Sequence, residues 1–211
     1  MLAAVKSPTL LLLALVAGCG DDGGSQAGDA AIDSPGGDAA EIDAAIDAPS
    51  GMFTLTSTAY VDGGVIPLAH VCMNQTGMDQ SPPLAWTNPP AGTMSFAIVF
   101  TDVFNPQMPF VHSVIYDIPA TATSVPGNIS RTYAPAEVAG AHQTNAYDGM
   151  RGYAGPCPGE MHTYEQAIYA LPTATLTGAT MATNRTAATT AIKANNLGVA
   201  KLLGTHTPPP P

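Results

Sequence analysis

The chain has 211 residues and a formal net charge of −10, with 45% hydrophobic and 10% charged residues. Half of the 16 acidic side chains lie before residue 52, so the rest of the chain is only weakly acidic. Lysine and arginine form no basic stripe that could neutralise phosphates, which argues against a nucleic-acid partner. About 160 residues follow the acidic segment, enough for one domain with a substantial core.

The first eighteen residues are typical of a signal peptide. Lys6 precedes a short apolar run that ends at Val16 and is too short to span a bilayer as a helix. The sequence Val16-Ala-Gly-Cys19 resembles the bacterial lipobox, in which the cysteine is acylated and becomes the mature N-terminus. We therefore expect residues 1–18 to be removed and Cys19 to anchor the protein in the bacterial cell envelope, facing the periplasm or the exterior. The alternative is an ordinary secretory signal followed by an incidental cysteine.

Residues 19–51 are predicted to be a disordered acidic linker. They are rich in Asp, Ala, Gly, Ser and Pro, and they bury too little apolar surface to offset the entropy of ordering. A coil of this length spans roughly 30 Å, and repulsion between carboxylates extends it further. The globular domain is predicted to cover residues 52–206, and residues 207–211 to form an extended proline tail.

Two cysteines, Cys72 and Cys157, lie in the predicted domain. An even number of cysteines in an exported protein favours a disulfide, so we expect these two to be paired. The alternative is a pair of unbonded thiols that pack as small hydrophobic side chains.

Two strands are predicted in the middle of the sequence. Ser95–Asp102 is a short apolar run rich in strand-forming residues, and it follows a turn signal at residues 89–92. A second strand covers Phe110–Ile118, where the two-residue period puts His112 on one face with four large side chains. That face is predicted to comprise Phe110, His112, Val114, Tyr116 and Ile118, opposite Val111, Ser113, Ile115 and Asp117.

A third strand is predicted from His162 to Leu171, with His162 and Tyr164 on the same side. It follows residues 152–159, where closely spaced glycines and prolines predict a rigid loop whose backbone N–H groups are free to face an anion. Helices are predicted only at residues 184–193 and 198–203. Most of the domain is therefore predicted to be strand.

Several segments resemble one protein family, and they occur in the family's order along the chain. The run Ser81-Pro-Pro-Leu-Ala-Trp86 is similar to a Ser-Pro-x-Leu-x-Trp segment, and Asp102-Val-Phe-Asn-Pro106 stands where that family has Asp-Pro-Asp-Ala-Pro. Gly155-Pro-Cys-Pro158 and His162-Thr-Tyr164 resemble Gly-Pro-Cys-Pro-Pro followed by His-Arg-Tyr. The family is that of the phosphatidylethanolamine-binding proteins, in its bacterial Raf-kinase-inhibitor-like branch. The resemblance covers about residues 53–204.

This resemblance implies a mainly β fold, with antiparallel sheets packed as a sandwich-like core and a few short peripheral helices. It also implies a small pocket for phosphate-like or carboxylate anions. The family is known for binding, and some members inhibit kinases or proteases, so we expect no catalytic residue, no cofactor and no metal. The pocket roles fall here on Asp102, Pro106, His112, Gly155, Pro156, His162 and Tyr164.

Four positions depart from the family's pattern. Phe104 stands where the second aspartate is usual, which removes a charged acceptor and adds bulk. Thr163 replaces an arginine and so removes a donor fork that would hold carboxylates. Val103 and Gly159 replace prolines. We expect these changes to alter the shape of the pocket and its affinity.

Three other chemistries have weaker support in the sequence. An aspartate with two histidines suits zinc or iron, but no His-x-His or His-x-x-x-His spacing is present. A serine triad would have to use Ser81 or Ser113, neither of which lies in a Gly-x-Ser-x-Gly motif. Cys157 as a nucleophile would need a free thiolate beside His162, and the expected disulfide competes with that role.

The other histidines and the large aromatic residues are predicted to have structural roles. Asp102 ends an apolar strand and would be costly to bury unpaired, so a nearby histidine is its expected partner. His70, His142 and His206 are predicted to be surface or loop residues. Trp86, Phe96 and Phe100 are predicted to fill the core.

The sequence favours a membrane-tethered binding module with a pocket for a small anion, such as a phosphate ester or a carboxylate. The alternative is an inhibitor or interaction protein that acts on a partner kinase or protease. A hydrolase built on Asp102, His112 and His162 is less favoured, because no nucleophile motif accompanies them.

Overall fold

A computed structural model describes residues 51–210 of the chain. The predicted signal peptide, the lipid-bearing Cys19 and the linker up to residue 50 lie outside the described residues. Within residues 51–210, no helix is long and apolar enough to cross a membrane.

The described residues form two sheets and one α-helix. A three-stranded sheet has the order β1-β3-β6, and a six-stranded sheet has the order β2-β9-β8-β4-β5-β7. All pairings are antiparallel except that of β2 with β9. This architecture confirms the predicted mainly β fold with few helices. The elements are β1 (Thr54–Thr56), β2 (Gly64–Val65), β3 (Leu84–Thr87), β4 (Ser95–Asp102), β5 (Phe110–Pro119), β6 (Ser124–Val125), β7 (His142–Gln143), β8 (His162–Leu171), α1 (Arg185–Ala194) and β9 (Gly198–His206).

The core consists of two apolar layers, one on each face of the six-stranded sheet. The larger layer joins the two sheets, with the Trp86 ring of β3 packed 5.1 Å from the Phe96 ring of β4. Trp86, Phe96 and Phe100 are all buried, as predicted. The smaller layer packs Ile192 of α1 against residues such as Val99. Because β4 is covered on both faces, its sequence is a continuous apolar run instead of an alternating one.

Two β-bulges in β5 change which of its side chains face the core. Phe100 pairs with Ser113 whereas Thr101 pairs with Val111, so His112 is an extra residue in the strand. A second register shift precedes Ile118. Near it Asp117 has a φ of 60°, a left-handed conformation that is uncommon for a residue other than glycine.

The face predicted for this strand was therefore partly wrong. Val114 and Tyr116 belong to the layer beside α1, whereas Ile115 and Ile118 belong to the layer between the sheets. Each extra residue reverses the alternation beyond it, and a strict period of two cannot anticipate this.

The predicted helix at residues 198–203 is also wrong, because this segment lies in strand β9. Gly198–His206 pairs with β8 along its whole length, from Gly198 opposite Ala170 to His206 opposite His162. Its burial alternates, with Ala200 and Leu202 inside and Lys201 exposed, and that pattern is typical of a strand. The helix predicted at residues 184–193 is confirmed as α1, and the Asn184 side chain caps it by accepting from the Ala187 N–H.

The predicted disulfide between Cys72 and Cys157 is confirmed. It joins a short 3-10 turn at Met73–Gln75 to the loop that precedes β8. The Cys72 N–H also donates to the Pro156 carbonyl at 3.0 Å, so the two segments are held together by two adjacent bonds.

Candidate functional site

A pocket of about 150 Å³ opens where β4, β5 and β8 meet at one edge of the six-stranded sheet. Asp102 ends β4, and its partners across the ladder are Phe110 of β5 and Tyr164 of β8. Antiparallel pairing brings the end of β4 beside the beginnings of β5 and β8, which explains why residues distant in sequence converge here. The pocket is lined by Asp102, Phe110, His112, Tyr147, Cys157, Pro158, His162 and Tyr164.

Asp102 and His162 form a hydrogen-bonded pair at this pocket. His162 Nδ1 lies 2.6 Å from Asp102 Oδ2, and the Phe104 N–H donates to Asp102 Oδ1 at 2.9 Å. Because an ionised carboxylate can only accept, the His162 proton at this contact is on Nδ1. This orientation leaves His162 Nε2 as the ring nitrogen available to a ligand. The expected pairing of Asp102 with a histidine is therefore present.

Phe104 covers one face of the His162 ring. The two rings are parallel within 4°, with centroids 4.0 Å apart, while Phe104 remains 50% exposed. Phe104 stands where the family usually has its second aspartate. It therefore contributes an apolar stacked ring beside the pocket, where an aspartate would have added negative charge.

His112 is buried among aromatic rings. Its Nδ1 lies 3.1 Å from the Ala154 carbonyl oxygen, which fixes the Nδ1–H tautomer because a carbonyl can only accept. Burial lowers the pKa of His112 to about 4, although the Ala154 carbonyl and Asp102 act in the opposite direction. At neutral pH this histidine is therefore neutral, and its Nε2 is an acceptor.

Two tyrosines complete the polar lining. Burial, and secondarily the charge of Asp102, raise the pKa of Tyr164, so its hydroxyl keeps its proton and can donate. Tyr147 stands edge-on to His112 with ring centroids 4.6 Å apart, and its hydroxyl donates to the Gly155 carbonyl at 3.1 Å. Tyr147 is not predicted from the sequence, because it lies in a loop without periodicity. Phe110 is predicted to share a face with His112, but no role in the site is predicted for it.

The Gly155-Pro156 segment supports the pocket from behind. The Gly155 N–H donates to Asp79 Oδ1 at 2.7 Å, so it is not free to face an anion as the loop had been expected to do. A Cβ on Gly155 would collide with the His70 carbonyl, which explains the need for glycine here. The next two residues, Cys157 and Pro158, form the pocket wall instead. Pro106 is exposed in the loop between β4 and β5, outside the lining set.

The other three histidines, predicted to be surface or loop residues, have structural contacts. That prediction is wrong for His206, which is buried in strand β9, whereas His70 lies in the connection between β2 and β3 but is buried. His70 is buried, with Nδ1 2.8 Å from the Gln80 carbonyl. His206 is buried on β9, where its Nε2 lies 2.8 Å from Gln75 Oε1. His142 is partly exposed on the edge strand β7, with Nδ1 3.1 Å from Asp117 Oδ2. Neither the turn around His70 nor the strand around His206 had been identified from sequence, so their burial could not be inferred.

No group of three or more His, Cys, Asp or Glu residues in the range 51–210 is arranged to hold a metal ion. The candidate site therefore consists of two histidines, one aspartate and two tyrosines around a small cavity, beside a wall that the disulfide fixes.

The chain is similar to several proteins of known sequence or structure. It is 33% identical to a UPF0098 protein of Aquifex aeolicus over 113 residues, covering 54% of this chain and 63% of that protein, so it spans less than two thirds of that relative's length. It is 31% identical to a UPF0098 protein of Methanothermobacter thermautotrophicus over 153 residues, covering 72% of this chain and 97% of the relative.

A solved structure has the same fold. The crystal structure of Escherichia coli YbcL, a member of the mammalian PEBP family, superposes with a TM-score of 0.67 and 27% sequence identity. The match covers 74% of this chain and 99% of YbcL. The sequence profile of the phosphatidylethanolamine-binding proteins matches residues 56–207. The chain therefore belongs to the phosphatidylethanolamine-binding protein family.

Proposed function

We propose that this protein is a binding module for a small anion, a phosphate monoester or a carboxylate, and that it is not an enzyme. The observation that carries the proposal is the convergence of His112 and His162 on one pocket of about 150 Å³. Asp102 orients one imidazole and the Ala154 carbonyl orients the other, so both rings are held in place before a ligand arrives.

The hydrogen-bonding pattern favours ligands that can donate a proton to His112 Nε2, or whose negative charge favours protonation of that nitrogen. With His112 neutral and Nδ1–H committed to Ala154, Nε2 can only accept. A monoprotonated phosphate ester can donate its P–OH to that nitrogen, or the ligand's charge can draw a proton onto the ring. Either route makes binding tighter as pH falls, because a bound anion raises the histidine pKa.

Hydrolysis receives less support than binding. Both carboxylate oxygens of Asp102 already accept hydrogen bonds, and no serine or threonine is among the lining residues. Cys157, the one potential thiol nucleophile in the wall, is in a disulfide. A hydrolase at this pocket would therefore have to use activated water or one of the Asp, His or Tyr side chains, without a serine or a free thiol as nucleophile.

Replacing either histidine with alanine is expected to weaken anion binding at least about tenfold. Loss of a hydrogen bond to a charged group costs roughly 1.5–3 kcal/mol, which corresponds to that change in affinity. Calorimetric titration with phosphoethanolamine and with inorganic phosphate would compare the parent, His112→Ala and His162→Ala. His142→Ala, which changes a histidine outside the pocket, is the matched control and should bind like the parent. If both pocket variants bind phosphate as tightly as the parent, the anion does not bind in this pocket.

Phe104→Asp is expected to reduce affinity for phosphate by about fivefold. The substitution places a carboxylate next to His162 at the edge of the pocket, and two like charges a few ångströms apart in water repel by about 1 kcal/mol. Phe104→Asn, of similar size but uncharged, separates the charge from the loss of stacking. The difference between the two variants should shrink at high salt, and a difference that is absent at low salt would contradict the electrostatic explanation.

We also propose that the module is tethered to the cell envelope through acylated Cys19. This rests on the sequence before residue 52, where an apolar segment, small residues and a cysteine precede an acidic linker. Cys19→Ala is expected to move the protein from the membrane fraction to the soluble fraction, as measured by fractionation and immunoblotting. Membrane association that persists in this variant would contradict the anchor.

One observation favours the alternative of a protein partner. The segments that flank the pocket expose Phe104, Met108, Phe110 and Met161, which is more apolar surface than a pocket for a small ion needs. An inhibitor of a partner kinase or protease would use this rim. Inhibition that survives loss of both pocket histidines but not of Phe104 and Phe110 would favour this alternative over anion binding.

A further inference from the structure

A second cavity lies between the two sheets, close to the candidate pocket. Its volume is about 30 Å³, and its lining residues are all buried. Phe100 lines this cavity, and the same ring lies 5.1 Å from that of His112 in the pocket. Phe100 and Tyr153, stacked with ring centroids 5.1 Å apart, both contribute to the cavity wall.

Two polar side chains of the cavity lining stand on either side of Phe100 in the sheet. Gln166 of β8 and Ser113 of β5 are its two cross-strand partners. Gln166 is 3% exposed and Ser113 is 7% exposed. Both side chains line the cavity, where the Gln166 amide has two donors and an acceptor to satisfy and the Ser113 hydroxyl can donate and accept.

Other polar groups are available in the same cavity. Gln143 lines it too, and its amide nitrogen donates to the carbonyls of Ser130 at 2.8 Å and Thr132 at 2.9 Å. Those two bonds fix which end of the amide is oxygen and leave that oxygen available as an acceptor. A buried amide without a partner is costly, and native proteins satisfy such groups with ordered water when the space permits.

The size of the cavity identifies the ligand. A volume of about 30 Å³ accommodates one or two water molecules, and it is too small for an organic molecule. A cavity lined only by apolar groups would stay dry, whereas the wall of this one includes the Gln166 amide, the Gln143 amide and the Ser113 hydroxyl.

We propose that this cavity is an internal hydration site, in which one or two ordered water molecules are held by the Gln166 amide and the Ser113 hydroxyl. The water would bridge β8 and β5 across Phe100. Two residues further along β4, Asp102 pairs with Tyr164 and with Phe110, and these three residues line the pocket. The hydration site would therefore support the sheet directly beneath the pocket floor, and it does not depend on what the pocket binds.

Two measurements on the parent protein test this proposal without any variant. A crystal structure at about 1.5 Å resolution should show water within 2.7–3.2 Å of the Gln166 amide and of Ser113 Oγ. In solution, the Gln166 side-chain amide protons should show nuclear Overhauser transfer from a long-lived water. A dry cavity, or a Gln166 amide bonded directly to a protein group, would overturn the proposal.

A double variant, Gln166→Met with Ser113→Ala, should lose the water signal because it removes the polar partners while keeping a similar side-chain volume at residue 166. Gln107→Met, the same change at an exposed position, is the matched control and should keep the signal. A water resonance equally strong in the double variant would show that these two residues do not hold it. If the double variant does not fold, the two measurements on the parent still decide the question.

Discussion

Replacing both Cys72 and Cys157 with alanine is expected to lower the free energy of unfolding by about 4 kcal/mol. The disulfide joins residues 85 positions apart, and opening a loop of that length restores much conformational entropy to the unfolded chain. Denaturant unfolding of the oxidised parent and of the double variant, with the slopes compared as well as the midpoints, would measure the difference.

The same change should affect the candidate pocket, because Cys157 is part of its wall. We expect the double variant to bind phosphoethanolamine more weakly than the parent even at temperatures where it is fully folded. The parent treated with a reductant serves as a second route to the same state. A loss of stability below about 1 kcal/mol by both routes would mean that the disulfide does not constrain this fold as argued.

Acidification from pH 7 to pH 4 is expected to lower the free energy of unfolding by about 3 kcal/mol through His112 alone. In the unfolded chain this histidine takes up a proton near its ordinary pKa of about 6.5, whereas burial holds its folded-state pKa at about 4. Between these values the unfolded state binds more protons, so stability falls as pH falls. Below about pH 4 both states are protonated and this contribution stays constant.

The variant His112→Asn isolates this effect, because asparagine can still donate to the Ala154 carbonyl but does not titrate in this range. Unfolding free energies of parent and variant, measured from pH 4 to pH 7, should converge on acidification. His206, whose pKa burial also lowers, contributes in the same direction to both proteins and cancels in the comparison. Parallel curves for the two proteins would show that His112 is not buried in its neutral form.

The sequence predicts an element reliably where one signal covers its whole length. The predicted bounds of β4 and β8 match the structure, because Ser95–Asp102 is a continuous apolar run and His162–Leu171 pairs with both of its neighbours without a register shift. In β9 the burial alternates, but alanine, lysine and leucine are good helix formers, and the sequence predicts a helix at residues 198–203. Pairing with β8 over nine residues overrides that propensity.

The residues of the candidate pocket also differ in how well the sequence predicts them. Asp102, His112, His162 and Tyr164 lie at or near strand ends that antiparallel pairing brings together, so pattern and family resemblance identified them. The contacts made by loops could not be inferred, since no periodicity links residues such as Tyr147 to the strands. The bond from Gly155 to Asp79 is a further example, because 76 residues separate its partners.

The most direct test of the central claim is a titration followed at the imidazole nitrogens themselves. Protein labelled with ¹⁵N-histidine would be titrated with phosphoethanolamine at about pH 6, and the ring resonances assigned with single-histidine variants. We expect the nitrogens of His112 and His162 to shift together and to saturate at one ligand per chain, while those of His142 and His70, outside the pocket, stay unchanged. Saturable binding that leaves the resonances of both pocket histidines unshifted would contradict anion binding between His112 and His162, and would place the anion site elsewhere.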